Sequence, residues 1–270
     1  MKFNPIHSSL ALYCSVFALA MGLLLATLPL QASIVNIEDE RLEDPPEGLT
    51  GSLNLSISGE SGNQDTLTAS GGLRADYVRD TRQWISVASR RYGTSSGEVD
   101  TDESFVHLRR VSKLDSQRAW EAFLQGEQNP FRLLQWRGLL GAGLRFGPYE
   151  HTEPGTRHYL GLGSFMEWER RELPEGSVHT ETLRGNFYWN FRHQTEEGTR
   201  LSQTLYLQPA LDDWDDHRVM SQLGLTTPVT RRVDVQAGVV LRYDSQPPGD
   251  IERLDVSYEF GLRWRFEGDG

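Results

Sequence analysis

The chain has 270 residues and carries 38 Asp plus Glu against 27 Lys plus Arg, a formal net charge of −11. That balance excludes nucleic acid as a partner, because phosphate backbones are bound by basic surfaces that release counterions. The single cysteine, Cys14, excludes an internal disulfide and a cysteine-based metal site.

Taken in chain order, the amino terminus comes first. Lys2 supplies a positive start, residues 10–30 are almost wholly apolar, and Leu30-Gln31-Ala32 offers a cleavage site. Residues 1–32 therefore read as a secretory signal peptide, although Leu30 stands where a small residue is usual. The alternative is a retained membrane helix, since the apolar run is long enough to span. Tyr13 is too bulky for a lipoprotein cleavage box ahead of Cys14. Residues 33–48, with Pro45 and Pro46, read as an acidic periplasmic leader.

From residue 49 to 266 the spacing predicts twelve strands, separated by Gly, Pro, Asn and Asp turns. They centre on 52–58, 66–79, 83–92, 104–113, 118–127, 138–147, 158–170, 182–192, 200–208, 218–226, 233–243 and 253–266. Each strand with its connection takes about 18 residues, which suits tilted membrane-crossing strands of about 9–11 residues. No apolar run beyond the first 30 residues is long enough for a spanning helix. The expected fold is thus all-β: an antiparallel transmembrane β-barrel of about 12 strands over 49–266, followed by a short tail at 267–270.

Connections are expected to be short at 80–81, 114–117 and 227–231, and long at 93–103, 171–181, 209–216 and 244–253. Barrels of this kind keep short turns in the periplasm and long loops outside. The connection at 147–157 breaks that alternation.

Parity divides each strand into two faces. Trp120, Ala122 and Leu124 face outward, with Glu121, Phe123, Gln125 and Glu127 inward. Leu140, Leu144, Leu160, Leu162, Leu183, Phe187 and Trp189 likewise oppose Arg145, Tyr159, Glu167, Glu169, Arg184, Asn190 and Arg192. The last strand alternates most cleanly: Leu254, Val256, Tyr258, Phe260, Leu262, Trp264 and Phe266 against mostly polar residues. A barrel turns the first set to lipid and the second to its lumen.

The charged lumen candidates are Glu121, Arg145, Glu167, Glu169, Arg184, Arg192, Arg242, Glu259 and Arg263. They are expected to form an internal salt-bridge network, the alternative being a narrow channel with opposed acidic and basic walls. Glu121, Arg145 and Glu167 are expected to cluster, with the arginine between two acids. Acidic stretches around Asp100, Asp212 and Asp250 read as solvated loops, or as a place for divalent cations at a lipopolysaccharide surface.

Hydrolytic chemistry finds little support. His158 and Ser164 share a face, but six residues set them about 20 Å apart. Ser104 and His107 lie on opposite faces, and no Gly-x-Ser-x-Gly elbow occurs. His107, His158, His193 and His217 show no ligand spacing, so no metal or other cofactor is expected.

Several stretches carry a family resemblance. They are Ser95-Ser96-Gly97-Glu98-Val99, Trp120-Glu121-Ala122-Phe123, Leu139-Leu140-Gly141-Ala142-Gly143-Leu144-Arg145, Leu160-Gly161-Leu162-Gly163 and Tyr243-Asp244-Ser245. Together they resemble the salt-induced outer-membrane proteins, the YdiY-like family of unknown function. The resemblance implies a stress-responsive outer-membrane barrel and no transferable reaction. Gly261, Trp264 and Phe266 also resemble the terminal signal read by the barrel-assembly machinery, apart from the four residues that follow.

The sequence thus predicts a structural or small-solute channel protein of the Gram-negative outer membrane, not an enzyme. Its expected partners are outer-membrane lipid, lipopolysaccharide, the assembly machinery and a small solute. The alternatives are a lipid-active outer-membrane enzyme and a soluble periplasmic all-β ligand-binding protein.

Overall fold

The structure is a computed structural model and describes residues 46–62, 65–147, 155–230, 233–247, 249 and 252–264. The expected signal peptide, most of the leader, Phe266 and the tail lie outside the described residues, as does the side chain of Trp264.

Twelve strands follow one another: β1 (Gly48–Glu60), β2 (Thr66–Arg79), β3 (Arg82–Ser95), β4 (Glu98–Lys113), β5 (Arg118–Asn129) and β6 (Leu134–Phe146). The second half is β7 (Gly155–Leu173), β8 (Gly176–Gln194), β9 (Arg200–Pro209), β10 (His217–Pro228), β11 (Val233–Asp244) and β12 (Leu254–Trp264). Each pairs antiparallel with the next, giving one sheet in sequence order. One short 3-10 turn (Pro130–Arg132) joins β5 to β6, where Leu133 adopts the left-handed conformation. All twelve strands predicted from the alternation are present. The edges β1 and β12 are not hydrogen-bonded to each other among the described residues.

Two expected long loops are instead hairpins. β3 and β4 run on to a two-residue turn at Ser96–Gly97, and β7 and β8 to a turn at residues 174–175. β7 and β8 each reach 19 residues, far more than a bilayer requires. The reason is local. Ser96 (φ 52) and Gly97 (φ 84) take the paired positive φ values of a type I′ turn, whose twist matches that of the flanking strands. Asp100, Asp102 and Glu103 consequently belong to β4 rather than to a loop. At the opposite end, the β4–β5 turn is pinned by Asp115, which accepts from the backbone N–H of Gln117 and Arg118 at 2.9 and 2.8 Å. The Arg118 side chain, donating at 2.7 Å, is the chief reason the Asp115 carboxyl is held below its ordinary range.

The two faces separate as parity requires. Leu124, Leu140, Leu144, Leu160, Leu162, Leu183, Leu205 and Leu207 are all exposed on the outer face. Phe123, Leu139 and Phe165 are buried on the inner face and pack together. Inward glycines make room for this packing. A methyl at Gly141 would meet the Phe123 ring at 2.4 Å, and one at Gly161 would meet the Tyr188 ring at 1.9 Å. The sheet curls with these large rings on its concave side.

The turn at Ser96–Gly97 supplies a test. Gly97→Val should destabilise the fold by about 1–2 kcal/mol, because a side chain resists positive φ. Ser96→Asn should be neutral or better. Urea midpoints of the folded protein measure both.

Candidate functional site: the charged concave face

The concave face is assembled from side chains that meet across several strands. Glu167 on β7 is 2% exposed. It accepts from Arg218 on β10 at 2.7 Å and from Arg184 on β8 at 3.1 Å, and Arg137 on β6 lies 3.9 Å away. β7 and β10 are three strands apart, which in a flat sheet is about 14 Å. The 2.7 Å contact is therefore made through the hollow of the curl, not along its wall.

The other partners extend the network. Arg218 also reaches Asp244 at 3.2 Å and Glu169 at 3.6 Å. Arg184 makes a two-pronged contact with Asp216, at 2.7 and 3.0 Å. Arg137 pairs with Glu127 at 2.8 Å, and Arg171 pairs with Glu169. Register explains part of this arrangement: Glu127, Arg137 and Glu169 stand directly opposite one another on β5, β6 and β7. Opposite charges facing across strands satisfy each other without leaving the wall. The network lies toward the end of the sheet that carries the β5–β6, β7–β8, β9–β10 and β11–β12 connections.

A second group lies nearer the opposite end. Arg109 on β4 pairs with Glu121 on β5 at 3.2 Å. Tyr188 on β8 donates to Glu121 at 3.0 Å and accepts from Arg145 at 3.2 Å. The Arg145 guanidinium also sits 4.1 Å from the centre of the Tyr159 ring, a favourable cation–π geometry. Between the two groups lies the Phe123, Leu139 and Phe165 layer. Tyr188, Tyr206 and Met220 form a further apolar cluster. On β2, Arg74 pairs with buried Asp76 at 2.7 Å.

Nine lumen residues were predicted from parity. Glu121, Arg145, Glu167, Glu169 and Arg184 are buried and belong to these networks. Arg192 and Arg242 are half-buried, and Glu259 and Arg263 on the edge strand β12 are exposed. The expected three-residue cluster divides. Arg145 and Glu121 meet through Tyr188, while Glu167 takes Arg184, Arg218 and Arg137 instead. The cause is height along the strand. Arg145 is level with Gly161, six residues from Glu167. Arg109, Arg137, Arg171, Arg218, Asp216 and Asp244 were missed. Arg137, Arg171 and Arg218 lie at or just beyond the limits of their predicted strands, where alternation is too short to assign a face. Arg109 shares its face with His107 and Val111 and was legible by the same rule.

The first three strands leave room. A cavity of about 470 Å³ is lined by Ser56, Ser70, Gly72 and Ser89 on one side and by Glu103, Glu127, Asn129 and Arg132 on the other. The β1–β3 wall is mostly small hydroxyl side chains with Arg90 and Arg91 beside them, and the other wall is mostly charged. Among the described residues no group of three or more His, Cys, Asp or Glu is placed to hold a metal ion. The acidic residue Asp216 is engaged by Arg184.

Burial gives these charges their leverage. Removing one partner of a buried pair leaves the other desolvated and unpaired, at about 3–5 kcal/mol. Glu167→Gln should lower stability by an amount of that order. Glu259→Gln, on the exposed edge, should change it by no more than about 0.5 kcal/mol. Urea unfolding of the two variants side by side checks the contrast.

Among solved structures, a NanC porin has 12% identity and a TM-score of 0.46, with 80% of this chain and 99% of that chain covered. The translocator domain of the autotransporter NalP from Neisseria meningitidis has 12% identity and a TM-score of 0.43, covering 85% and 92%. The beta domain of a Bordetella autotransporter has 11% identity and a TM-score of 0.35, covering 81% and 98%. No curated protein matches the chain. The family described as "Protein of unknown function, DUF481" matches residues 53–266, a match with which the resemblance to the YdiY-like proteins is consistent, and the chain belongs to that family.

Proposed function

We propose that the chain is an outer-membrane β-barrel of the Gram-negative envelope, closed by pairing of β1 with β12, whose role is structural. One observation carries this reading: aliphatic and aromatic side chains predominate on the outward face from β1 to β12, while polar and charged side chains, with a few large rings, fill the inward face. On β1 the outward face presents Leu49, Leu53, Leu55 and Ile57, and on β12 Leu254, Tyr258, Phe260 and Leu262, all exposed. Aromatic residues bracket the band. Tyr77, Trp84 and Trp120 lie toward the end with the β2–β3 and β4–β5 turns, and Tyr92, Trp136 and Trp168 toward the other. Trp84 and Tyr92 are eight residues apart on β3, about 26 Å along the strand and about 20 Å when tilted. That height suits the apolar core of an outer membrane, with aromatic girdles at its two interfaces.

In this reading the turn end, which also carries the start of β1 and the end of β12, faces the periplasm. The acidic hairpin tips face lipopolysaccharide. Export through a signal peptide and recognition of the last strand by the barrel-assembly machinery complete the picture. The chain is not an enzyme in this account, because its buried acids are committed to arginines rather than aimed at a reacting group.

A second reading is favoured by the cavity beside β1–β3. A small polar solute would pass along the hydroxyl-lined wall while the β4–β10 side stays filled. Conductance in a planar bilayer should then be small, far below that of an open porin. A large ohmic conductance would contradict a filled lumen.

Closure is tested by cross-linking. An even strand count leaves β1 and β12 antiparallel, so their edges can pair. Leu53→Cys, Leu55→Cys or Ile57→Cys is combined with Val256→Cys, Tyr258→Cys or Phe260→Cys, in a chain whose single native cysteine is Cys14. At least one combination should form a disulfide in the folded protein. If none does, while the neighbouring pair Leu53→Cys with Leu73→Cys reacts, the barrel is not closed this way.

A further inference from the structure

We infer that the outward face of β3–β5, at the turn end, binds the phosphate of a phospholipid through Arg110 and Arg82. The inference rests on the barrel reading above, which places this end in the periplasmic leaflet. Arg110 stands directly opposite Trp84, on the outward face of β4. Its guanidinium lies 5.4 Å from the centre of the Trp84 ring and 5.1 Å from that of Trp120. Two aromatic faces thus fix a cation at the level of the girdle.

No carboxylate accompanies it. Other outward arginines are engaged: Arg90 with Asp102, Arg118 with Asp115, and Arg170 with the hydroxyl of Ser177. Arg110 has its rings but no ion pair, and its Nε is buried without a hydrogen-bond partner. Arg82 lies two residues from Trp84 on the same face, opposite Ser112, and is therefore a diagonal neighbour of Arg110. Arg82 likewise has no carboxylate partner within ion-pair distance among the described residues. It faces Arg79 across the β2–β3 turn, where Arg79 takes Asp80 at 3.9 Å and leaves Arg82 without an acid of its own.

A cation on a lipid-facing wall is costly unless it reaches an anion or water. At interface height the available anion is the headgroup phosphate. Guanidinium groups grip phosphate with two parallel hydrogen bonds. The tryptophans cover the acyl-chain side of the same site, as amphipathic rings do at headgroup level. The pair of arginines fits one phosphodiester, held just beneath the rings.

The test uses the chain isolated in detergent and scored first for heat-modifiable migration, which reports the barrel and not the lipid. Native mass spectrometry then follows retention of added phosphatidylglycerol, against diacylglycerol with the same chains. The wild type should retain one phosphatidylglycerol and no diacylglycerol. Arg82→Gln with Arg110→Gln should stay heat-modifiable and retain about tenfold less, as expected when charge-assisted bonds to phosphate are lost. Trp84→Leu with Trp120→Leu should weaken retention by a smaller factor. Equal retention by the arginine variant overturns the site. Displacement of phosphatidylglycerol by lipid A would also overturn it, by placing this end in the outer leaflet. A wild type without heat-modifiable migration would reject the barrel reading itself, and the lipid site with it.

Discussion

The contact between Glu167 and Arg218 fixes the form of this protein. It joins β7 to β10 across a gap that a flat sheet would hold open, and so requires the sheet to curl. Tyr188 and Glu121 make the equivalent contact between β8 and β5 at another height. Neither contact is free-standing. A carboxylate taken from water is tolerated only when several donors surround it, and Glu167 has three arginines around it. The filled concave side is thus a mutually dependent set. Each charge is buried because the others are, and the large rings between the two groups exclude the water that would weaken them.

That arrangement inverts the usual logic of a folded domain. The inner face holds charges together with aromatics, and the outer face holds aliphatic side chains with nothing packed on them. Leu162 on β7 is 52% exposed while Arg145, level with it within two residues on β6, is 2% exposed. A water-soluble sheet would bury its apolar face against a second layer. Here no second layer exists among the described residues, and in the barrel reading proposed above lipid covers that face.

Much of this was legible in the sequence because a strand has a period of two. Alternation alone located twelve strands and assigned Glu121, Phe123, Arg145, Tyr159, Glu167 and Arg184 to one face. What it could not supply was height. Pairing of Arg145 with Glu121 through Tyr188, and not with Glu167, depends on register between strands, and parity is blind to register. Hairpins at Ser96–Gly97 and at residues 174–175 look like loops in the sequence because turn-forming residues and charge are also loop signals. Both strands on either side nevertheless continue the ladder. Arg137 and Arg218 were missed for a related reason: strand ends are where alternation is shortest and boundaries least determined. Openness beside β1–β3 follows from residues that were visible throughout, the serines and glycines of β1 and β2. Their meaning as a cavity wall needed the curl of the other strands.

Labelling along β7 tests the division of faces most directly. Single cysteines are placed from residue 157 to 169 in protein reconstituted in bilayers, after replacement of Cys14. Each is exposed to a membrane-soluble thiol reagent and to a bulky charged one. The account predicts strict alternation: positions 158, 160, 162, 166 and 168 react with the membrane-soluble reagent, while 159, 161, 165 and 167 are shielded from it. Uniform reaction with the charged reagent on the even positions, or loss of the alternation, would contradict a lipid-facing outer wall around a charged and filled interior.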